Sequence, residues 1–131
     1  MPYIATSDIT DGLLAPHASA AYIARVSAFV EDLASEMEVD AADIITDPVN
    51  YRIKQLAIYA CCRMICEDKS GMNVQAMAQG GLSAMDDPYL LKLKHYQTQE
   101  SKTRLRINRE MFIGEADERK EFGVEIQIDR G

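Results

Sequence analysis

The sequence predicts a mainly α-helical fold, a small three- to four-helix bundle with a long third helix and a C-terminal tail that carries one β-strand. Three observations predict it. Apolar residues recur at helical spacing in the first half of the chain, two Asp-Pro pairs mark helix starts, and the residues from Gly123 to Arg130 alternate strictly between apolar and polar. With 131 residues, 47% of them hydrophobic, the chain has enough apolar material for one compact domain.

The first helix is predicted from Ala18 to Glu38, after a short N-terminal turn that Thr6 or Ser7 caps and that Pro16 helps to end. Its apolar face comprises Tyr22, Val26, Phe29, Val30, Leu33 and Met37. These residues recur at the spacing of one side of an α-helix, so this face should pack on the core.

Aspartate residues mark the next two helical starts. One extra turn is predicted from Asp40 to Ile45, with Asp40 as its cap and Asp43 three residues later, in the pattern of an acidic capping box. Asp47 and Pro48 repeat a start signal, because a carboxylate caps a helix well and proline fits the first helical position. The second helix should therefore begin at Pro48.

This second helix is predicted to run from Pro48 to about Asp68. One face carries Val49, Ile53, Leu56, Ala57, Ala60 and Met64, and further apolar residues broaden it, namely Ile58, Tyr59, Cys62, Ile65 and Cys66. Little solvent-facing side remains in the second half of the helix. It is therefore the central helix of the bundle, or one that a neighbouring subunit buries.

The stretch from Ser70 to Asp87 holds three glycines, three methionines and no basic residue. It is too rich in glycine for a stable helix throughout and too apolar for a simple solvated linker, which predicts a functional loop. Methionine side chains adapt to uneven surfaces. The loop is expected to pack on another subunit or on its own core through Met72, Met77, Leu82 and Met85.

Asp87 and Pro88 open the third predicted helix, which reaches Phe112 before Gly114 stops it. Its first two turns carry an apolar face of Tyr89, Leu90, Leu93 and Tyr96. Its second half is basic and is expected to project from the bundle as a subunit interface, through Lys102, Arg104, Arg106 and Arg109. Part of this charge bias also suits the helix dipole.

The predicted domain boundary separates a helical bundle, residues 1–114, from a tail, residues 115–131. The tail begins with an acidic stretch typical of a linker and ends with the alternating strand. A single strand leaves its backbone groups unpaired, so Val124, Ile126 and Ile128 are expected to bind a partner by strand pairing. Pairing with Tyr3 and Ile4 of the same chain, or a disordered tail, are the alternatives.

Charge is segregated along the chain, whose formal net charge is −7. Residues 1–91 carry a net charge of −8, residues 92–109 carry +5, and residues 110–131 carry −4. The acidic total argues against a protein that wraps nucleic acid, since phosphate binding needs clustered Lys and Arg. The opposite fields favour head-to-tail contact between copies or docking on a partner of unlike charge.

The sequence shows neither a secretory signal nor a membrane span, which favours synthesis in the cytoplasm. It lacks the P-loop, the nucleophile elbow and the HExxH and CxxC motifs, so no enzyme activity and no cofactor are predicted. Cys61, Cys62 and Cys66 share one helical stretch, which suits reduced core thiols. Cys62, Cys66 and His95 offer no convincing fourth zinc ligand, so no metal site is predicted.

The order of these elements resembles the head-tail connector, or adaptor, proteins of tailed bacteriophages. The resemblance rests on the N-terminal turn Y-I-A-T-S-D-I, the helices at 18–38 and 48–68, the loop, the third helix opened by D-D-P-Y-L-L-K-L-K, and the trailing strand. It covers about the whole chain. These proteins diverge greatly and share no invariant catalytic signature.

The resemblance implies a homo-oligomeric ring, commonly of twelve copies, in the neck of the virion. The ring would dock beneath the portal protein after packaging, meet a tail-side or stopper protein, and extend the channel through which DNA passes without specific binding. A terminal segment would embrace the portal or a neighbouring subunit. Alternatives are a small DNA-binding or regulatory module that uses the basic half of the third helix, or another tail-completion or scaffold protein.

Overall fold

The structure, a computed structural model, describes residues 2–78 and 87–114, and the side chains of the second helix as far as Ser70. The described part is mainly helical, as predicted. It contains four α-helices, α1 (Ala20–Glu36), α2 (Tyr51–Ala78), α3 (Pro88–Arg104) and α4 (Arg109–Ile113). Single 3-10 turns lie at Thr6–Asp8, Ala15–His17 and Ala41–Asp43. The predicted C-terminal strand lies outside the described residues.

Helix α1 confirms the first predicted helix to within two residues at each end. Val26, Val30 and Leu33 are buried, and the other members of the predicted face pack partly buried against the core. The chain leaves the helix through Glu38, whose φ of 64° lies in the left-handed region. The predicted turn after it is present, but Asp40 makes no side-chain capping hydrogen bond, so the acidic capping box is wrong.

Helix α2 begins three residues later than predicted. The Asp47–Pro48 peptide is cis and lies in a tight turn bridged by Thr46 and Val49. The buried Asn50 caps the helix instead, since its Oδ1 accepts a hydrogen bond of 2.9 Å from the backbone N–H of Arg52. The aspartate-proline signal therefore marks a turn here, and the amide of Asn50 marks the helix.

Helix α2 also continues ten residues beyond its predicted end, to Ala78. Its 28 residues span about 42 Å at 1.5 Å per residue. The predicted loop is thus wrong from Ser70 to Ala78, where one glycine costs a helix only about 1 kcal/mol and alanine, methionine and glutamine are good helix formers. Met72 and Met77 lie in α2, whereas Leu82 and Met85 lie outside the described residues.

Helix α2 is the central helix, as predicted, and packs against α1 on one side and α3 on the other. Its side chains form the middle of the hydrophobic core from Ile53 to Cys66. The N-terminal segment covers the same core with four buried residues, Tyr3, Ile4, Ile9 and Leu14. This segment is part of the bundle, because Leu14 is completely buried and Asp8 forms an ion pair with Lys54 of α2 at 3.6 Å.

Asp87 caps α3 as predicted. Its carboxylate accepts hydrogen bonds from the backbone N–H groups of Tyr89, at 2.9 Å, and Leu90, at 3.3 Å. Pro88 occupies the first turn. The same Asp-Pro signal thus opens one helix in this chain and marks a cis turn before the other.

Candidate docking surface

The chain turns sharply between α3 and α4, where a single helix was predicted to continue to Phe112. Helix α3 ends at Arg104, and Ile107 donates a backbone hydrogen bond of 3.1 Å to the carbonyl oxygen of Arg104. Asn108 then caps α4, because its Oδ1 accepts a hydrogen bond of 3.0 Å from the backbone N–H of Met111. Gly114, at a φ of 88°, ends α4 in the left-handed conformation that favours glycine.

Two buried side chains hold this turn against the bundle. Ile107, just before the cap, is 6% exposed, and Phe112, in the fourth helical position, is completely buried. Apolar residues at these two positions form the spacing of a hydrophobic staple. The backbone N–H of Ile45 also donates a hydrogen bond of 2.8 Å to the carbonyl oxygen of Phe112. The second half of the third helix was predicted to project from the bundle. This prediction is wrong, because α4 folds back on the core.

Leu105 lies outside the core at the same turn. Its side chain is 87% exposed, more than any other large apolar side chain in the described part of the chain. The burial of Ile107 and Phe112 fixes the turn, and Leu105 remains in solvent. We name Leu105 and the two grooves beside it the Leu105 surface.

The two grooves share Leu105 and Ser101 as lining residues. The first, of 480 Å³, lies between α1 and the end of α3 and is lined by Leu33, Glu36, Met37, Ser101, Arg104 and Leu105. The second, of 530 Å³, runs along the outer side of α3 and is lined by Lys94, Gln97, Thr98, Ser101, Lys102 and Leu105. Leu105 thus lies between a groove that Leu33 and Met37 line and a groove that Lys94 and Lys102 line, and this combination makes the surface a candidate for protein binding.

The predicted basic interface residues surround Leu105 in part. Arg104 pairs with Glu36 of α1 at 3.0 Å, and both side chains are largely exposed, so this ion pair contributes little to stability. Lys102, Arg106 and Arg109 are exposed, and no ion pair joins any of them to another described residue. Arg104 therefore pairs with an acidic residue of its own chain. That these four basic residues form a subunit interface stays a prediction.

Leu105 was missed by the sequence reasoning, which treated residues 102–109 as one basic helical stretch. The available signals were an apolar residue between two arginines and the Ile107-Asn108 pair just after it. An apolar residue followed by a capping asparagine marks a new helix start. The predicted strand residues Val124, Ile126 and Ile128 lie outside the described residues.

A second polar cluster ties the N-terminal segment to α3. Asp11 accepts hydrogen bonds of 2.9 Å from Nζ of Lys92 and 2.6 Å from the hydroxyl of Tyr96, and one of 2.9 Å from the backbone N–H of Leu13. Burial alone would raise the pKa of this carboxyl, but the hydrogen bonds from Tyr96, Lys92 and Leu13 outweigh it and lower the pKa. Asp11 thus stays ionised and serves as a structural link.

Because the folded pKa of Asp11 is lowered, its stabilising effect is present above the unfolded value of about 3.9 and is lost as pH falls through the folded value. We expect Asp11→Asn to destabilise the protein by about 1–3 kcal/mol at neutral pH, and the difference from wild type to shrink below about pH 4. Urea unfolding over a pH series measures this. A difference that stays constant to the lowest pH would contradict the assigned link.

The three thiols have the properties of core residues. Cys61, Cys62 and Cys66 are free and at most 2% exposed. Burial raises the pKa of Cys61 and Cys66 to about 11 and that of Cys62 to about 12, so each stays protonated at neutral pH. In the described ranges, 2–78 and 87–114, no group of three or more His, Cys, Asp or Glu side chains is placed to hold a metal ion.

Among the helices described, none has both the length and the apolar character to cross a bilayer. Comparison with family models, curated proteins and solved structures finds no match to this chain. The Leu105 surface is accordingly interpreted from its own geometry and chemistry.

Proposed function

We propose that the chain is a structural subunit that assembles into a ring, and that the ring is the head-tail connector of a tailed bacteriophage. The Leu105 surface carries the assembly part of this proposal. As far as Ser70 in α2, and in α1, α3 and α4, most apolar side chains of the helices pack within one chain, and Leu105, beside exposed cations, is available to a partner. The phage assignment rests on the order of sequence elements, from the N-terminal turn to the alternating C-terminal segment.

The charge distribution supports a head-to-tail contact. The cations around Leu105 are exposed, and the acidic charge of the chain lies in other segments, with −8 over residues 1–91 and −4 over residues 110–131. A contact between two different surfaces generates a ring when its rotation closes. An acidic ring in the virion neck, between the portal and a tail-side or stopper protein, would let DNA pass without adhesion, because like charges repel.

Light scattering and electron microscopy at high protein concentration test the ring. We expect closed rings with a central channel in low salt, and a shift towards monomers in the double variant Lys102→Glu with Arg106→Glu, because it places like charges at the contact. Lys69→Glu is the control, since it makes the same type of charge change on α2 at a partly exposed lysine outside this surface. A wild-type chain that stays monomeric, or a double variant that assembles unchanged, would contradict the proposal.

A DNA-binding module is the second candidate, because Lys102, Arg106 and Arg109 are exposed within eight residues of chain. Such a module would bind duplex DNA with an affinity that falls steeply as salt rises, by about one power of salt for each phosphate contact. The net charge of −7 opposes this function. Salt-dependent DNA binding without self-association would favour it over the connector.

A further inference from the structure

We propose that the Leu105 surface binds the C-terminal segment, residues 115–131, of a neighbouring copy. This inference deepens the proposed function. It rests on that function in one respect: a ring needs contacts between copies, so the tail that binds is taken to be that of a neighbouring copy and not that of the same chain. The predicted tail segment and the predicted basic interface would then be the two halves of one contact, made through side chains against α1 and α3 and not by strand pairing.

The groove between α1 and α3 supplies the apolar half of this site. Leu33 forms its floor and is 3% exposed, Met37 is half-buried, and Leu105 stands at its edge. The flexible side chain of Met37 adapts to aliphatic side chains of different shape. The groove therefore suits a segment that presents a row of valine and isoleucine side chains.

Residues 115–131 have the matching pattern. Val124, Ile126 and Ile128 alternate with Glu125, Gln127 and Asp129, so an extended backbone would present the apolar row on one side and the acidic residues on the other. The whole segment holds six acidic and three basic side chains. An extended segment that places its apolar row against Leu105 turns Glu125 and Asp129 away from the surface. The carboxylates that can meet the cations of the surface are therefore those of the acidic stretch before the row, Glu115, Asp117, Glu118 and Glu121.

Those cations line both grooves. Arg104 lines the apolar groove, and Lys94 and Lys102 line the groove on the other side of Leu105. The existing partner of Arg104, Glu36, is 63% exposed, so a carboxylate of the tail can join or replace it at low cost. Complementary charge at the rim sets specificity and the association rate, while the apolar contact supplies affinity.

The tail is long enough for this contact. Seventeen residues follow Gly114, and a fully extended chain spans about 3.3 Å per residue, so its end can lie about 55 Å from Gly114. This distance exceeds the about 42 Å length of α2, the longest helix described. The surface of an adjacent copy is within reach.

Binding of a labelled synthetic peptide with the sequence of residues 115–131 tests the site directly. The acceptor is the full chain with Ile126→Asp, which disables its own tail as a competitor. We expect saturable binding that weakens at least tenfold when Leu105→Asp is added, because a buried leucine contributes a tenfold effect or more. Leu91→Asp, at an exposed leucine near the other end of α3, should leave binding unchanged.

A peptide of the same composition in scrambled order separates the pattern from charge alone. Equal binding of the scrambled peptide, or equal loss with Leu91→Asp, would overturn the proposed site. Leu105 is 87% exposed, so the Leu105→Asp chain should keep its far-ultraviolet circular dichroism. This check excludes misfolding as the cause of lost binding.

Mixing two variants tests whether the contact joins neighbouring copies. The Leu105→Asp chain keeps a working tail, and the Ile126→Asp chain keeps a working surface. We expect neither to form rings alone and the mixture to stop at one-to-one heterodimers, because each pair has one working contact. A mixture without heterodimers would overturn binding between copies.

The failure of this inference is distinguishable from failure of the proposed function. Rings that form in wild type and in Leu105→Asp, without peptide binding, would overturn the tail contact and leave the connector proposal standing. Peptide binding and heterodimers, together with a wild-type chain that stays monomeric, would mean that the tail occupies the surface of its own chain, and would contradict both the contact between wild-type copies and the ring.

Discussion

Phe112→Ala is expected to lower the free energy of unfolding by about 3–5 kcal/mol, the range for removal of a fully buried phenylalanine from a core. Phe112 is completely buried, although it lies in a helix of only five residues near the end of the described chain. Its carbonyl oxygen also accepts the hydrogen bond from Ile45. Loss of the ring would therefore loosen α4 and the connection between α1 and α2 together.

Chemical denaturation with circular dichroism measures this loss. The control is Leu105→Ala, seven residues earlier, which should change stability by no more than about 0.5 kcal/mol because its side chain is in solvent. Similar small effects at both positions would mean that residues 105–113 project from the bundle, as the basic composition of this stretch first suggested. A large effect at Phe112 alone would establish that α4 folds back.

Sequence reasoning succeeded where one local signal acted without competition. The apolar spacing of α1 and the Asp87 cap of α3 are both found where the pattern predicted them. In each case the residues that set the boundary are neighbours in sequence, so tertiary contacts only reinforce the local preference. The central place of α2 followed similarly, from an apolar face too broad for a surface helix.

Sequence reasoning failed where two local signals competed. Asp47-Pro48 and Asn50 both favour a helix start, and composition alone could not choose between them. Near Gly71 the cost of one glycine opposed the helix preference of its neighbours, and the continuous helix prevailed. A helix boundary at such a place depends on small free-energy differences that tertiary packing decides.

The candidate site was predictable only in part for the same reason. The basic composition of residues 102–109 correctly drew attention to this end of the chain. The exposure of Leu105 depends on the break after Arg104, which the burial of Ile107 and Phe112 just after it enforces. A leucine in a continuous amphipathic helix would have been assigned to the core, so its role follows from three-dimensional packing.

Arg63→Met is expected to destabilise the protein by about 2–3 kcal/mol, the largest effect we predict for a charged residue. Arg63 of α2 donates a hydrogen bond through Nε to Glu100 of α3 and one of 3.0 Å through Nη1 to Glu67. Its guanidinium also lies 5.9 Å from the centre of the Phe29 ring of α1. Arg63 of α2 thus contacts both α1 and α3, so one side chain joins three helices.

The environment of this ion pair explains the expected size of the effect. Arg63 is 18% exposed and Glu100 is 14% exposed, so water screens their attraction poorly. Burial would lower the pKa of Arg63, but the hydrogen bond and charge of Glu100 outweigh it and raise the pKa. Removing Arg63 leaves the largely buried Glu100 carboxylate without its cation, which costs more than the interaction alone.

A double-mutant cycle with Glu100→Gln measures the coupling. Glu100→Gln alone should cost only about 1 kcal/mol, because the amide oxygen still accepts the Nε hydrogen bond and Arg63 keeps Glu67. Arg25→Met is the matched control, since Arg25 and Asp68 pair at 3.1 Å with both side chains about half exposed, and its loss should cost at most about 1 kcal/mol. Equal losses for Arg63 and Arg25 would show that the α2–α3 ion pair is exposed to solvent and adds little to the packing of the bundle.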